Sequence, residues 1–256
     1  MKITLLGTGT SSGVPLLGCT CEVCTSTRPY DRRQRSCALI ETEGKRILID
    51  CGPDIRQQLL AQPFGPIDAV LVTHEHYDHV GGLDDLRAFC KFGPLHIYGE
   101  APCLAHIRER MAYCFGDSKY PSAPTLELHE ITPLEPLPLD GTVILPLRVM
   151  HGTMPILGYR IGLFAYITDM KTMPDPSVEA LKGTKFLVVN GLRHKPHDTH
   201  QTIEEAVTFI RRTGIPQARL IHLAHTAGLH DESSKYLPTN IRFGYDGETI
   251  VLSKEN

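Results

Sequence analysis

The stretch HEHYDH, residues 74–79, sets three imidazoles and two carboxylates, Glu75 and Asp78, within six residues, directly behind the apolar run IDAVLVT. Buried without a partner, such groups would forfeit their hydration and gain nothing in return, whereas one or two cations at the strand's end remove the conflict. His74 and His76 can point the same way from an extended segment, while Asp78 and His79 enter the next turn and can face a second ion. An isolated HxH is ordinarily a solvated loop; this denser cluster, followed by Gly81 and Gly82, reads as a metal-binding pattern. It lies at the C-terminal end of a strand.

A second cluster, GCTCEVC at residues 18–24, supplies three thiols, Cys19, Cys21 and Cys24. A closed structural zinc takes four protein ligands, and nothing adjacent completes the set. The fourth ligand is a histidine elsewhere, or Cys37 or Cys51; the competing reading is three reduced surface thiols. LIHLAHT offers His222 and His225, which point to opposite faces if that segment stays extended.

The elements that must position these residues are short. Strand-like runs occur at 2–7, 37–42, 45–52, 67–73, 95–99, 142–150, 157–162, 163–168, 184–190 and 218–224. Helical periodicity occurs at 54–62, 82–90, 102–112, 177–181 and 202–212. Each half of the chain carries hairpins before helices, with no Ser/Gly-rich linker between them, so residues 1–256 read as one layered α/β domain with a zinc-binding loop at about 18–36. Residues 113–124, rich in Gly, Pro, Ser and charge, read as a surface loop or insertion.

The 256 residues are 41% hydrophobic, enough for a substantial core, and carry a net charge of −3 from 26 basic and 29 acidic side chains. That balance argues against wrapping a long nucleic acid. No run approaches the roughly 18 apolar residues that span a membrane, and the N-terminal apolar run is too short for a signal peptide. The chain reads as cytosolic, where its 8 cysteines serve as ligands or buried thiols rather than disulfides.

The HxHxDH motif, with His151 in VMHG, Asp169 in TDM and His222 in LIHLAH following in order, resembles the metallo-β-lactamase superfamily. The resemblance covers most of the chain and implies a four-layer αβ/βα sandwich with a binuclear site. Carried over, His74, His76 and His151 would hold one divalent metal, Asp78, His79 and His222 the other, and Asp169 would bridge. Many true β-lactamases of the family have a cysteine at the Asp169 position; an oxygen ligand there is more similar to the phosphodiesterase and thioesterase branches. The CxCxxC loop resembles the phosphodiesterase branch typified by the carbon–phosphorus lyase pathway enzyme, which implies closure of a structural zinc site by His225.

The implied chemistry is hydrolysis of a small anionic phosphodiester, such as a cyclic sugar or nucleotide phosphate like 5-phosphoribosyl 1,2-cyclic phosphate, by a hydroxide bridging two zinc or manganese ions. Two divalent cations against Asp78, Asp169 and that hydroxide leave a net charge of about +1, suited to a phosphodiester. His200 in RHKPHDTHQTIEEA would assist the leaving group; His194, His197, Arg193 and Lys195 receive no role. Family likeness also implies a homodimer. The alternatives are a tRNA 3′-processing-type nuclease, against which stands the lack of a basic Gly/Pro-rich arm within these residues, and a non-catalytic metal-binding protein of the same fold.

Overall fold

Continuous apolar runs such as TLLG and AVLV can be buried on both faces, and in the computed structural model they form the centres of two sheets. Residues 1–116, 120 and 122–253 are described. The first half contributes β1 (Lys2–Gly7), β2 (Cys37–Thr42), β3 (Lys45–Ile49), β4 (Ala69–Leu71), β5 (Leu95–Gly99) and β6 (Leu126–Glu130). The second contributes β7 (Leu137–Leu139), β8 (Thr142–His151), β9 (Met154–Ile161), β10 (Phe164–Ile167), β11 (Phe186–Asn190), β12 (Gln217–Ile221), β13 (Ile241–Phe243) and β14 (Thr249–Val251). The helices are α1 (Glu22–Thr25), α2 (Ile55–Leu60), α3 (Tyr77–Val80), α4 (Ala101–Arg110), α5 (Asp175–Glu179) and α6 (Ile203–Thr213), with 3₁₀ turns between them.

The two sheets run β14-β1-β2-β3-β4-β5-β6 and β13-β12-β11-β10-β9-β8-β7. Each pairs antiparallel on one side and parallel on the other, through β3 to β6 and β10 to β13 respectively. Ile3, Ile40, Ile47 and Leu71 from one sheet meet Leu157, Tyr159, Phe164 and Val188 from the other in a shared core. Tyr159 Oη satisfies its buried hydroxyl by donating across that core to Val72 O at 2.6 Å. A second cluster, including Leu48, Ile55, Leu86 and Ile107, lies under the helices of the first sheet. A third, including Ile167, Val189, Ala206 and Ile210, lies under those of the second. These layers are the αβ/βα sandwich expected from the sequence.

Three expectations need correction. The 218–224 run ends as a strand at Ile221, because His222 takes a left-handed backbone with φ 54°; His222 and His225 therefore do not sit on opposite faces of one extended strand, and His225 opens a 3₁₀ turn, His225–Ala227. The 82–90 helix is a 3₁₀ segment, Leu83–Phe92. The edge strands β6, β7, β13 and β14 are not among the expected runs, all being short and the first three mixed with charge or proline. Part of the expected 113–124 loop lies outside the described residues. Among the described residues no helix is long and apolar enough to cross a membrane.

The turn carrying the histidine cluster is fixed by close backbone packing. A Cβ at Gly52 would lie 2.1 Å from Asp78 O, and one at Gly82 2.1 Å from Gly52 O. Replacing Gly52 with Ala must displace α3, and overpacking of this kind costs about 1–3 kcal/mol. We therefore expect Gly52→Ala to lower the urea midpoint at unchanged m-value; an unaltered midpoint would show that the turn yields freely.

Candidate metal centre

The parallel strands end on the same side, and their C-terminal ends carry the cluster. His74 to His79 follow β4, His151 ends β8, Asp169 follows β10, and His222 follows β12. His200 lies in the loop after β11, two residues before Thr202, the N-cap of α6. That helix start is set by a capping box: Thr202 Oγ1 accepts from Glu205 N at 3.1 Å and Glu205 Oε2 accepts from Thr202 N at 2.8 Å. Gln201 N donates to Met170 O at 2.9 Å, which ties the His200 loop to the turn bearing Asp169.

Asp78, His79, Asp169 and His222 are all buried, and their ligand atoms lie within 4.8 Å of one another. Asp169 reaches both ways. Its Oδ2 is 3.3 Å from His79 Nε2 and its Oδ1 is 3.3 Å from His222 Nε2. His74 Nε2 faces His76 Nδ1 at 2.9 Å, and the His151 ring stands 5.7 Å from that of His74 and 5.3 Å from that of His76. His151 also groups with Asp169 and His200. Thus all seven expected ligands meet at one place, and His200 stands closer to them than a peripheral role requires, its Nδ1 3.7 Å from Asp169 Oδ1.

The far nitrogens of the imidazoles are held by other groups. His79 Nδ1 pairs with Asp50 Oδ2 at 2.7 Å, His74 Nδ1 with Thr73 Oγ1 at 3.0 Å, and His151 Nδ1 with Thr199 O at 3.0 Å. His222 Nδ1 faces Ser36 Oγ at 3.4 Å and Thr168 Oγ1 at 3.5 Å. Each ring is thereby oriented with Nε2 toward the centre, the arrangement that fixes metal-ligating histidines elsewhere. Asp50, fully buried, also accepts from Thr73 N at 2.8 Å. Its role was hidden in the sequence, where the end of KRILID looks like any strand end. Asp50, Asp169 and His222 all adopt positive φ, at 62°, 53° and 54°, a cost that non-glycine residues bear chiefly at functional sites.

The electrostatics fit cations. Burial pushes the Asp169 and Asp78 carboxyls upward, yet neighbouring His222 and His79 outweigh it and hold both well below the usual carboxylate range. Burial likewise opposes charge on His79, but Asp50, Asp169 and Asp78 drive its pKa well above the ordinary value. Its Nε2 nevertheless makes no hydrogen bond, although Asp78 Oδ2 is 3.1 Å away. A buried nitrogen facing two carboxylates without a hydrogen bond is a donor set that suits a divalent cation.

Away from this centre, the ligand atoms of Cys19, Cys21, Cys24 and His225 lie within 4.8 Å of one another. His225 Nδ1 is 3.2 Å from Cys21 Sγ and 3.4 Å from Cys19 Sγ. Contact with His225 brings the Cys21 thiol down to about 6, while burial raises Cys24 to about 11. The remaining histidines of the 194–200 loop divide. His194 pairs with Glu204 at 2.6 Å, and the His197 ring lies 4.9 Å from that of His200. Arg193 turns back onto the carbonyls of Lys195 and Pro196, and Lys195 is exposed.

The sequence model of the β-lactamase superfamily domain matches residues 45–223. The chain belongs to the metallo-β-lactamase superfamily. Its structure superposes on that of a diphosphatase from the PhnP family with a TM-score of 0.91, at 35% identity and covering 98% of both chains. It superposes on zinc-bound PqqB from Methylobacterium extorquens with a TM-score of 0.81, at 21% identity over 98% of this chain and 100% of that one, a likeness of fold alone. In sequence it is 49% identical, in an alignment of 257 positions that covers all of this chain, to an octanoyltransferase of Porphyromonas gingivalis, of which it covers 52%. The chain thus spans about half the length of the curated relatives it matches. The superfamily fold implies divalent metal binding, and the His/Asp cluster is suited to it.

Asp50 supplies the test of this arrangement. Asp50→Asn keeps an acceptor for His79 Nδ1–H but removes the charge that makes the ring a strong ligand. By analogy with other groups behind metal ligands, affinity should fall about 10- to 100-fold in chelator competition, with the metal-free fold retained. Unchanged affinity would assign Asp50 a purely structural role.

Proposed function

We propose that this protein hydrolyses small phosphodiesters at a binuclear centre, with His74, His76 and His151 holding one metal, Asp78, His79 and His222 the other, and Asp169 shared between them. Zinc and manganese both suit this nitrogen and carboxylate set. When bound, the two ions supply a water ionised near neutrality and positive charge for the oxygens on phosphorus. The observation that carries the reading is the buried Asp169, whose carboxylate groups with Asp78, His79 and His222 on one side and with His151 on the other. The 35% identity to a PhnP-family diphosphatase supports phosphorus as the centre attacked and makes a diphosphate linkage the second reading. The Cys19, Cys21, Cys24 and His225 cluster holds a structural zinc in this account.

The chain's own residues then divide the work. Asp169, kept ionised by its imidazole neighbours, fixes the spacing of the two ligand sets. Asp50 and Thr73 orient His79 and His74. His200 is buried, which holds its pKa down to about 3, so at neutral pH it acts as a neutral hydrogen-bond donor to the leaving oxygen rather than as an imidazolium acid. Its titration therefore places no limb on the kcat profile between about pH 5 and 8.

Octanoyl transfer we assign to the portion of the Porphyromonas gingivalis protein that this chain does not match. The centre presents imidazoles and carboxylates, and the thiols beside Asp50, Cys37 and Cys51, are held well above their usual range first of all by burial, which leaves them poor acyl acceptors.

The direct test is the metal-loaded protein assayed on bis(p-nitrophenyl) phosphate, a dinucleoside diphosphate, a thioester and a lactam. A phosphodiester should turn over fastest. A diphosphate ahead of every diester would favour the second reading, and a thioester ahead of both would overturn the assignment to phosphorus. His200→Ala should keep its metals and lose far more rate with an alkyl leaving group than with p-nitrophenolate, which departs unaided. Equal losses, or loss of metal, would make His200 a ligand instead.

A further inference from the structure

A third group of metal-ligating side chains lies on β5 and β6, and none of its members belongs to either centre described above. In the parallel ladder His96 is opposite Glu127, and Tyr98 is opposite His129. With a side-chain period of two, His96 and Tyr98 share one face of β5, and Glu127 and His129 share the corresponding face of β6. The register brings three donors together. His96 Nδ1 lies 3.0 Å from His129 Nε2 and 3.2 Å from Glu127 Oε2.

His96 and His129 are half-buried and Glu127 is exposed, so water can complete their hydrogen bonds, yet one hydrogen among three mutually facing atoms leaves lone pairs opposed. If His96 Nδ1 carries the proton, that single hydrogen faces two acceptors and can be directed at only one. If His129 Nε2 carries it instead, the lone pair of His96 Nδ1 faces a carboxylate oxygen 3.2 Å away. A cation that accepts all three lone pairs removes the conflict. We propose that His96, Glu127 and His129 form a binding site for a divalent transition-metal ion, zinc foremost, that clamps the edge strand β6 to β5. Two imidazoles and one carboxylate are a donor set zinc accepts, with a position left for water.

Two neighbouring features favour the cation. The His129 ring stacks on Tyr98, with centroids 4.8 Å apart and planes at 22°, which holds its orientation. His96 and Tyr98 also line a cleft of about 320 Å³ together with Lys45, Asp68 and Asp140. Lys45 pairs with both carboxylates, at 3.3 Å and 2.9 Å, so one ammonium faces two acids. With Glu127 added, the local charge is negative and attracts a cation.

The test uses the full chain with its other metal sites already filled, titrated calorimetrically with zinc. The wild type should bind one further zinc per chain. His129→Ala should weaken that binding at least about tenfold, and Glu127→Gln, which keeps the shape and removes the charge, should weaken it less. Phosphodiester hydrolysis should be unchanged in both, which separates this site from the proposed reaction. Absence of the additional zinc in the wild type, or an identical isotherm in both variants, would overturn the proposal.

Discussion

Three carboxylates, Asp50, Asp78 and Asp169, are buried around one imidazole, His79, which each of them contacts. Uncompensated, buried charges of this kind are strongly destabilising, so the architecture around them is an arrangement for supplying positive charge. The strand ends converge on this point, and the Nδ1 atoms of His74, His79, His151 and His222 are held from behind by a hydroxyl, a carboxylate, a carbonyl and hydroxyls respectively. Three residues accept left-handed backbone to keep their side chains there. A protein that did not bind cations would gain nothing from such a concentration of charge and strain.

The segment after β12 links this centre to the cysteine loop. His222 turns inward to Asp169, and three residues later His225 meets Cys19 and Cys21. Between them, Leu223 exchanges backbone hydrogen bonds with the turn after β1, through Leu223 N to Thr8 O at 3.0 Å and Thr10 N to Leu223 O at 3.1 Å. That clamp joins the start of the chain to its last parallel strands. A zinc on the cysteine side would therefore steady the backbone that presents His222.

Much of this was legible before any coordinates. HEHYDH announced its own chemistry because the donors are adjacent in sequence, and His151, Asp169 and His222 were found by their order after strand-like runs. The helix after His200 could be placed from TIEE, since a capping box is a local device. What stayed hidden depends on distance in sequence. Asp50 meets His79 only through the pairing of β3 with β4, and the His96, Glu127 and His129 group exists only in the register of β5 against β6. The structure does place His222 beside Asp169 and His225 beside the cysteines, but not by the expected geometry: the strand stops at Ile221, and a left-handed residue, not strand alternation, sends the two side chains apart.

The central claim is that Asp169 is shared between two ions. Anomalous scattering at the absorption edge of the bound metal, from crystals of the loaded protein, tests it most directly. The account requires two peaks at the strand ends, one against His74, His76 and His151 and the other against Asp78, His79 and His222, with the Asp169 carboxylate touching both. A single peak, or two peaks of which only one contacts Asp169, would contradict it.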